Sequence, residues 1–279
     1  MKTSRFAAVL PRRRSALAVL LGVALLAGCS GDKKEEYVER PVGDLYNEAM
    51  DRLQKEDYKE AAKSFDEVER QHPYSRWASK AQLMAAYAYY EDTKFDDAII
   101  ALDRFIQLHP GNADAPYAYY LKALCYYEQI SDVGRDQKMT KLAMQSLEEV
   151  ITRFPNTTYA RDARLKIDLT RDHLAGKEME VGRWYLRNKQ YLAAINRFKV
   201  VVDGYQQTTH IPEALYRLVE AYTLVGLKGE ARRIAAVLGH NYPGSRWYQD
   251  AYEVAELGST DPQAEENGKK DDGWLPKLF

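Results

Sequence analysis

Apolar residues recur along the chain in a helical pattern that repeats five times. The five segments align without gaps, and each centres on an alanine: Ala61, Ala98, Ala143, Ala194 and Ala231. Apolar residues stand four and seven positions after each alanine, which places all three on one face of an α-helix. A proline follows twelve positions after four of the five alanines and predicts where those helices end. The pattern therefore predicts five amphipathic helices.

A second pattern lies ahead of each of these helices. Twelve positions before four of the alanines, and twenty before Ala143, stands a small residue or a valine: Ala49, Ala86, Ala123, Gly182 and Val219. In four of the five segments a tyrosine follows three positions later. Small residues allow two helix axes to approach closely, so the segments predict helix pairs. The combination resembles the tetratricopeptide repeat. That resemblance implies an all-α superhelical solenoid of about five helix pairs over roughly residues 40–255.

The spacing between the central alanines is uneven, at 37, 45, 51 and 37 residues, whereas the repeat has a period of about 34. The excess in the third repeat falls at residues 131–138 and predicts a longer loop between helices. The excess before the fourth repeat falls at 158–188, which reads either as one long helix or as two helices broken at Gly176. We expect this insertion to offset an N-terminal half, residues 41–156, from a C-terminal half, residues 157–257.

The first 28 residues have the pattern of a bacterial export signal. Five basic residues and no acidic ones accompany an apolar run of 14 residues, which is too short for a membrane-spanning helix of about 20. The run ends in Leu-Ala-Gly-Cys, which resembles the lipobox of bacterial lipoproteins. The resemblance implies cleavage before Cys29 and lipid on its thiol, and Ser30 implies sorting to the outer membrane. The alternative is an ordinary cleaved signal with an incidental cysteine.

Two further segments lack apolar periodicity. Residues 29–40 are predicted to form a lipidated tether, and residues 258–279 a disordered acidic tail that ends in the apolar tip WLPKLF. Removal of the basic signal takes the formal net charge from −1 to −6, and no basic patch indicates nucleic-acid binding. The other cysteine, Cys125, is predicted to be a buried small hydrophobe.

Candidate catalytic and metal-binding residues are sparse. The five histidines have no metal-ligand spacing; they are His72, His109, His173, His210 and His240. Phosphate-loop and nucleophile motifs are also missing from the sequence. A pair of carboxylates suited to glycoside hydrolysis is left open. We therefore predict a protein that is not an enzyme, with no metal and no cofactor beyond the lipid on Cys29.

Tyrosine is abundant, with 21 copies. In tetratricopeptide proteins the first helix of each pair lines the concave face. That geometry implies an aromatic and apolar N-terminal groove, in which Leu83 accompanies Tyr46, Tyr87, Tyr90, Tyr120 and Tyr127. The corresponding C-terminal positions are more polar: Met179, Arg183, Leu186, Tyr216, Glu220 and Thr223. An aromatic groove suits an extended peptide with aromatic side chains. The alternative is ordinary packing of these rings between repeats.

A lipobox followed by five repeats that close in HPYS, HPGN, FPNT or YPGS is similar to the BamD/ComL lipoprotein family. The resemblance implies a lipoprotein held in the inner leaflet of the outer membrane and facing the periplasm. It further implies an adaptor of the β-barrel assembly machinery, working with other lipoproteins of that complex. The N-terminal repeats would bind C-terminal targeting signals of unfolded barrel proteins. The C-terminal repeats would dock a POTRA domain of BamA, the barrel subunit, with Arg197 at the docking surface.

Two other classes of function compete with this reading. Solenoid lipoproteins also scaffold cell-wall or division complexes in the periplasm. A lipid-anchored cell-wall hydrolase is the third class. The partners that a native preparation retains would distinguish the three.

Overall fold

The structure is a computed structural model that describes residues 39–257. The predicted signal peptide, Cys29, most of the tether and the C-terminal tail lie outside the described residues. Within 39–257 the chain forms eleven helices and no strand. They are α1 (Val42–Gln54), α2 (Tyr58–Gln71), α3 (Arg76–Glu91), α4 (Phe95–Leu108), α5 (Ala115–Tyr127), α6 (Lys138–Arg153), α7 (Thr158–Arg187), α8 (Tyr191–Gly204), α9 (Ile211–Val225), α10 (Lys228–Asn241) and α11 (Arg246–Leu257).

Successive helices pack as five pairs, from α1 with α2 to α9 with α10, and α11 packs on the last pair. Each pair also packs on the next, so every helix contacts mainly its neighbours along the chain. Nearest-neighbour packing of this kind is characteristic of a solenoid. The predicted all-α tetratricopeptide-repeat fold is confirmed.

The core follows the predicted register. All five central alanines are buried, as are the side chains four and seven positions beyond them, including Phe65, Phe105 and Phe198. Gly182 shows how closely the paired helices approach, because a Cβ built on it would lie 2.5 Å from Cε1 of Phe198. The predicted burial of Cys125 is also confirmed, and that burial raises the pKa of its thiol to about 12.

Four of the five pairs are joined by a tight turn with one residue in the left-handed region. Three of these residues are not glycine: Glu56, Thr93 and Lys189, with φ near 60°. In the fifth pair Gly226 takes this position with φ of 86°. A left-handed residue after the last helical turn allows the backbone to cap that helix and reverse direction. The third pair has instead a ten-residue connection between α5 and α6, where the spacing predicted a longer loop.

Helix α7 is a single helix of 30 residues, which resolves the two alternatives for residues 158–188. Its first part packs through Ala163 and Ile167 into the core built by α5 and α6. Its last part packs through Ala175 and Met179 into the core of α8 and α9. Both sets of repeats therefore share α7, and the division of the chain into two offset halves stays a prediction.

Two loops fix the middle of α7 with polar contacts. The ring nitrogen Nε2 of His173 lies 2.7 Å from the carbonyl oxygen of Ser131, in the α5–α6 connection. On the α8–α9 connection, the backbone N–H and the hydroxyl of Thr209 both donate to Asp172 at 2.8 Å. These contacts tie the shared helix to both neighbouring repeats.

Candidate functional site

Six tyrosines from three successive first helices lie on one face of the repeats. We call this set the tyrosine surface; it consists of Tyr87, Tyr90, Tyr117, Tyr120, Tyr127 and Tyr159. The ring centroid of Tyr159 lies 5.3 Å from that of Tyr120 and 5.6 Å from that of Tyr117. Burial raises the pKa of Tyr117, with smaller contributions from nearby Tyr87 and Tyr159. The rings of α3, α5 and α7 therefore form one neighbouring group.

Carboxylates hold several of these rings in place. The Tyr120 hydroxyl donates to Asp162 on α7, and burial together with this bond raises the pKa of the hydroxyl. Asp162 also lies 3.5 Å from the ammonium of Lys166, which stands 5.1 Å from the Tyr127 ring centroid. A hydrogen bond to Glu91, with burial, raises the pKa of Tyr87 to about 12. At neutral pH these hydroxyls are protonated, so the surface presents neutral rings beside anchored acidic groups.

Four of the five predicted groove tyrosines are members of this surface. The exception is Tyr46, which packs in the core of the first pair, 5.5 Å from the Phe65 ring centroid and 4.7 Å from that of Trp77. Leu83 and Met179, expected on the inner face, are buried in the core and do not line it.

Sequence reasoning missed two further rings and two leucines. Tyr117 and Tyr159 join the surface although neither occupies a position expected to face inward. Beyond them on α7, Leu165 and Leu169 are 66% and 61% exposed. They follow Asp162 by three and seven residues and so share its helix face. The signal in the sequence was the pair of leucines four residues apart, within the insertion at 158–188 that belongs to no predicted repeat.

The equivalent face of the C-terminal repeats is occupied by ion pairs. Arg183 on α7 bonds to Glu213 on α9 at 3.1 Å. The Arg217 guanidinium lies 5.0 Å from the Tyr216 ring centroid and 5.7 Å from that of Trp247, and bonds to Glu220 at 2.8 Å. Tyr216 and Trp247 are stacked with 5.2 Å between ring centroids. This face is polar, as the sequence suggested.

Arg197 lies on α8, away from the tyrosine surface. Its Nη1 donates to Glu178 at 3.0 Å, and the side chain remains 43% exposed. This bond raises the pKa of the guanidinium. Arg197 borders a shallow depression together with Tyr185, Ala193, Asn196 and Val200. The side chain is thus held in a fixed direction with part of its surface open to a partner.

Within residues 39–257, no group of three or more His, Cys, Asp or Glu side chains is arranged to hold a metal ion. Across those residues, too, no helix combines the length and apolarity needed to cross a membrane.

Comparison with known proteins places the chain in a family. Residues 38–238 match the family model described as YfiO, outer membrane lipoprotein. The outer membrane protein assembly factor BamD of Caulobacter vibrioides is 54% identical over 252 residues, covering 89% of this chain and 83% of the relative. BamD of Rickettsia prowazekii is 50% identical, over 86% of this chain and 96% of its own.

A more distant relative and a solved structure complete the comparison. BamD of Neisseria meningitidis serogroup B is 35% identical over 86% of this chain and 96% of its own. The solved tetratricopeptide-repeat domain of P58(IPK) is 14% identical, aligning over 90% of this chain and 65% of its own with a TM-score of 0.41. On the family model and the BamD relatives, the chain belongs to the BamD/ComL family of outer membrane lipoproteins.

Proposed function

We propose that this protein is a non-enzymatic adaptor in the assembly of outer-membrane β-barrel proteins. Support comes from relatives at 50–54% identity, which are called outer membrane protein assembly factors. The expected lipid on Cys29 would hold the repeats at the periplasmic side of the outer membrane. Two or more acyl chains give stable anchoring, so no spanning helix is needed.

The tyrosine surface is the proposed site for C-terminal targeting signals of unfolded barrel proteins. The observation that carries this proposal is the convergence of six rings from α3, α5 and α7 on one face. An extended peptide displays alternate side chains on each side. Its aromatic side chains can pack against partly exposed tyrosine rings, while their hydroxyls remain available for polar contacts. Because the surface is neutral and aromatic, recognition depends more on apolar contact than on charge.

The proposed partner of the C-terminal repeats is a POTRA domain of BamA. Arg197 provides a partly exposed guanidinium whose direction is fixed by Glu178. Beside it on α8, Ala193 and Val200 line the same depression, and Val200 exposes 45% of its surface. A central charged group with apolar neighbours has the composition of a protein–protein contact.

Purification of the native protein in mild detergent tests the adaptor role. We expect a barrel subunit with POTRA domains to be retained. Retention of a wall-synthesis complex, without any barrel subunit, would instead support the periplasmic scaffold.

The anchor is tested separately by membrane fractionation. Replacement of Cys29 by Ala removes the thiol that would carry the lipid, so the variant should accumulate as precursor or become soluble. A Cys125→Ser variant is the matched control, since that thiol is buried. Unchanged outer-membrane fractionation of the Cys29→Ala variant would contradict the lipid anchor.

A further inference from the structure

We propose that the tyrosine surface and the adjoining Leu165 and Leu169 bind the protein's own residues 274–279, Trp-Leu-Pro-Lys-Leu-Phe. This segment would occupy the surface as a pseudo-substrate that an incoming peptide must displace. The inference rests on the proposed peptide-binding function and adds a specific internal competitor.

Two leucines on α7 extend the tyrosine surface and are mostly open to solvent. Leu165 and Leu169 stand one helical turn apart and are mostly exposed. They adjoin Asp162 and Lys166, whose side chains contact Tyr120 and the Tyr127 ring. The leucines therefore extend the ring surface along α7. Two mostly exposed leucines on the helix face that carries Asp162 and Lys166 add apolar surface near the rings, and exposed apolar patches mark binding sites.

The segment 274–279 has the chemistry that this area requires. Two of its six residues are aromatic, Trp274 and Phe279, and two are leucines. Pro276 disfavours helix in the residue before it and favours an extended backbone there. An extended backbone would direct successive side chains to opposite sides. The segment can therefore place an aromatic ring and a leucine against the protein simultaneously.

Charged residues flank both apolar elements. Asp271 and Asp272 stand just before the apolar segment. On α7 the residues that flank Leu165 include Arg161 and Arg164, both exposed. With the apolar segment over Leu165 and Leu169, the two acids would approach this basic pair. The segment also contains Lys277 and follows Lys269 and Lys270, and exposed Asp168 precedes Leu169, so each element carries both signs of charge.

A long linker separates the apolar segment from α11. Sixteen residues, 258–273, separate the end of α11 from Trp274. Fully extended, these residues span about 53–58 Å. A tethered segment also has a high effective concentration at its site, of millimolar order for a short linker. A weak intrinsic contact would then suffice to compete with a free peptide.

Titration of a fluorescent barrel-derived peptide ending in Phe provides the first test. The lipid-free chain 30–279 is compared with the same chain ending at residue 257. Removal of the tail should lower the Kd for the peptide at least fivefold, and Trp274→Ala/Phe279→Ala in the full chain should reproduce this change. Gln263→Ala/Asn267→Ala is the matched control and should leave the Kd unchanged. Equal Kd values for all variants would overturn the inference and leave the proposed function standing. If no variant binds the peptide, the proposed function itself is overturned.

Crosslinking within the full chain tests the contact directly and does not depend on any added peptide. A photo-crosslinking amino acid replaces Leu278. We expect crosslinks within one molecule to residues 117–127 and 159–169, and their loss in Leu165→Asp/Leu169→Asp, where only exposed positions change. Crosslinks that reach α9–α11 alone, or that join only two copies, would overturn the inference.

Discussion

The N-terminal and C-terminal repeats share a register but present different surfaces on their first helices. Ala98 and Ala194 occupy the same repeat position, and both are completely buried. On the exposed side, however, α3, α5 and the start of α7 present tyrosine rings, whereas the end of α7 and α9 present paired arginines and glutamates. Core and surface positions therefore vary independently: the apolar stripe maintains the solenoid, and the opposite face can specialise.

The difference also separates two kinds of binding. Rings beside exposed leucines suit apolar segments of varied sequence, because contact area is not strongly directional. Fixed guanidinium groups instead require a partner with oxygen acceptors in a matching geometry. Under the proposed function, one scaffold would bind an unfolded peptide with its N-terminal repeats and a folded domain with its C-terminal ones.

Charge reversal at Arg197 should have the largest effect, and only on the C-terminal function. Loss of one member of a buried interfacial charge pair costs about 2–5 kcal/mol, so Arg197→Glu should weaken POTRA binding tens to thousands of times. Binding is measured by titration with the isolated POTRA domain. The variant Arg197→Glu/Glu178→Arg restores an opposite-charge pair within the chain. If it also restores wild-type POTRA binding, Arg197 acts within the chain and not at the interface.

Overpacking tests the feature that both regions share. Ala98→Leu and Ala194→Leu each enlarge a buried side chain, at a cost of about 1–3 kcal/mol. Both should lower the thermal unfolding midpoint by similar amounts. Ala236→Leu, at an exposed position of α10, is the control and should change stability by less than about 0.5 kcal/mol. A midpoint that falls for only one of the buried sites would show that the two halves do not share the register.

The smallest effect concerns alkaline pH and the tyrosine surface. The pKa of Tyr87 is about 12 in the folded protein against an ordinary value of 10.0, because of its bond to Glu91 and its burial. The folded state therefore holds this proton more tightly, so its contribution to stability is complete below pH 10 and is lost as pH rises toward 12. Urea unfolding at several pH values should show a shallower decline for Tyr87→Phe. Tyr74→Phe, at a fully exposed position, should keep the wild-type slope, and identical slopes for both variants would contradict this account.

Periodicity predicted the buried helix faces, and the resemblance to the tetratricopeptide repeat implied the solenoid. The central alanines and their apolar partners identified the buried face of each second helix, because burial restricts those positions to particular residue types. Periodicity could not decide between one helix and two at residues 158–188, because Gly176 is compatible with both. In the structure Gly176 lies inside α7, where a Cβ would come within 3.1 Å of the His210 ring. The glycine therefore serves close packing against the α8–α9 connection, not a helix break.

The surface was less accessible to prediction than the core. Four of the tyrosines expected in the groove lie in the tyrosine surface on α3 and α5, and their role stays a prediction. Tyr46 instead packs between the first pair and α3, where Phe65 and Trp77 lie beside it. Sequence reasoning missed Tyr159, Leu165 and Leu169. The first part of α7 is not paired with any of the five central alanines, so the repeat pattern assigned no inward positions there. Arg197 pairs with Glu178, and Tyr120 pairs with Asp162. Both contacts join different helices, so residue spacing along one helix does not reveal them.

The central claim is that aromatic peptides bind the N-terminal repeats and not the C-terminal ones. The most direct measurement is titration of a barrel-derived peptide ending in Phe against the lipid-free chain, with and without residues 258–279. We expect micromolar affinity without the tail, about −8 kcal/mol. Tyr120→Ala/Tyr159→Ala should weaken the affinity for the peptide at least tenfold, or about 1.4 kcal/mol. Trp184→Ala/Tyr216→Ala should leave the affinity unchanged. Circular dichroism checks that each variant is folded. Equal loss in both variants, or loss only in the second, would contradict the account.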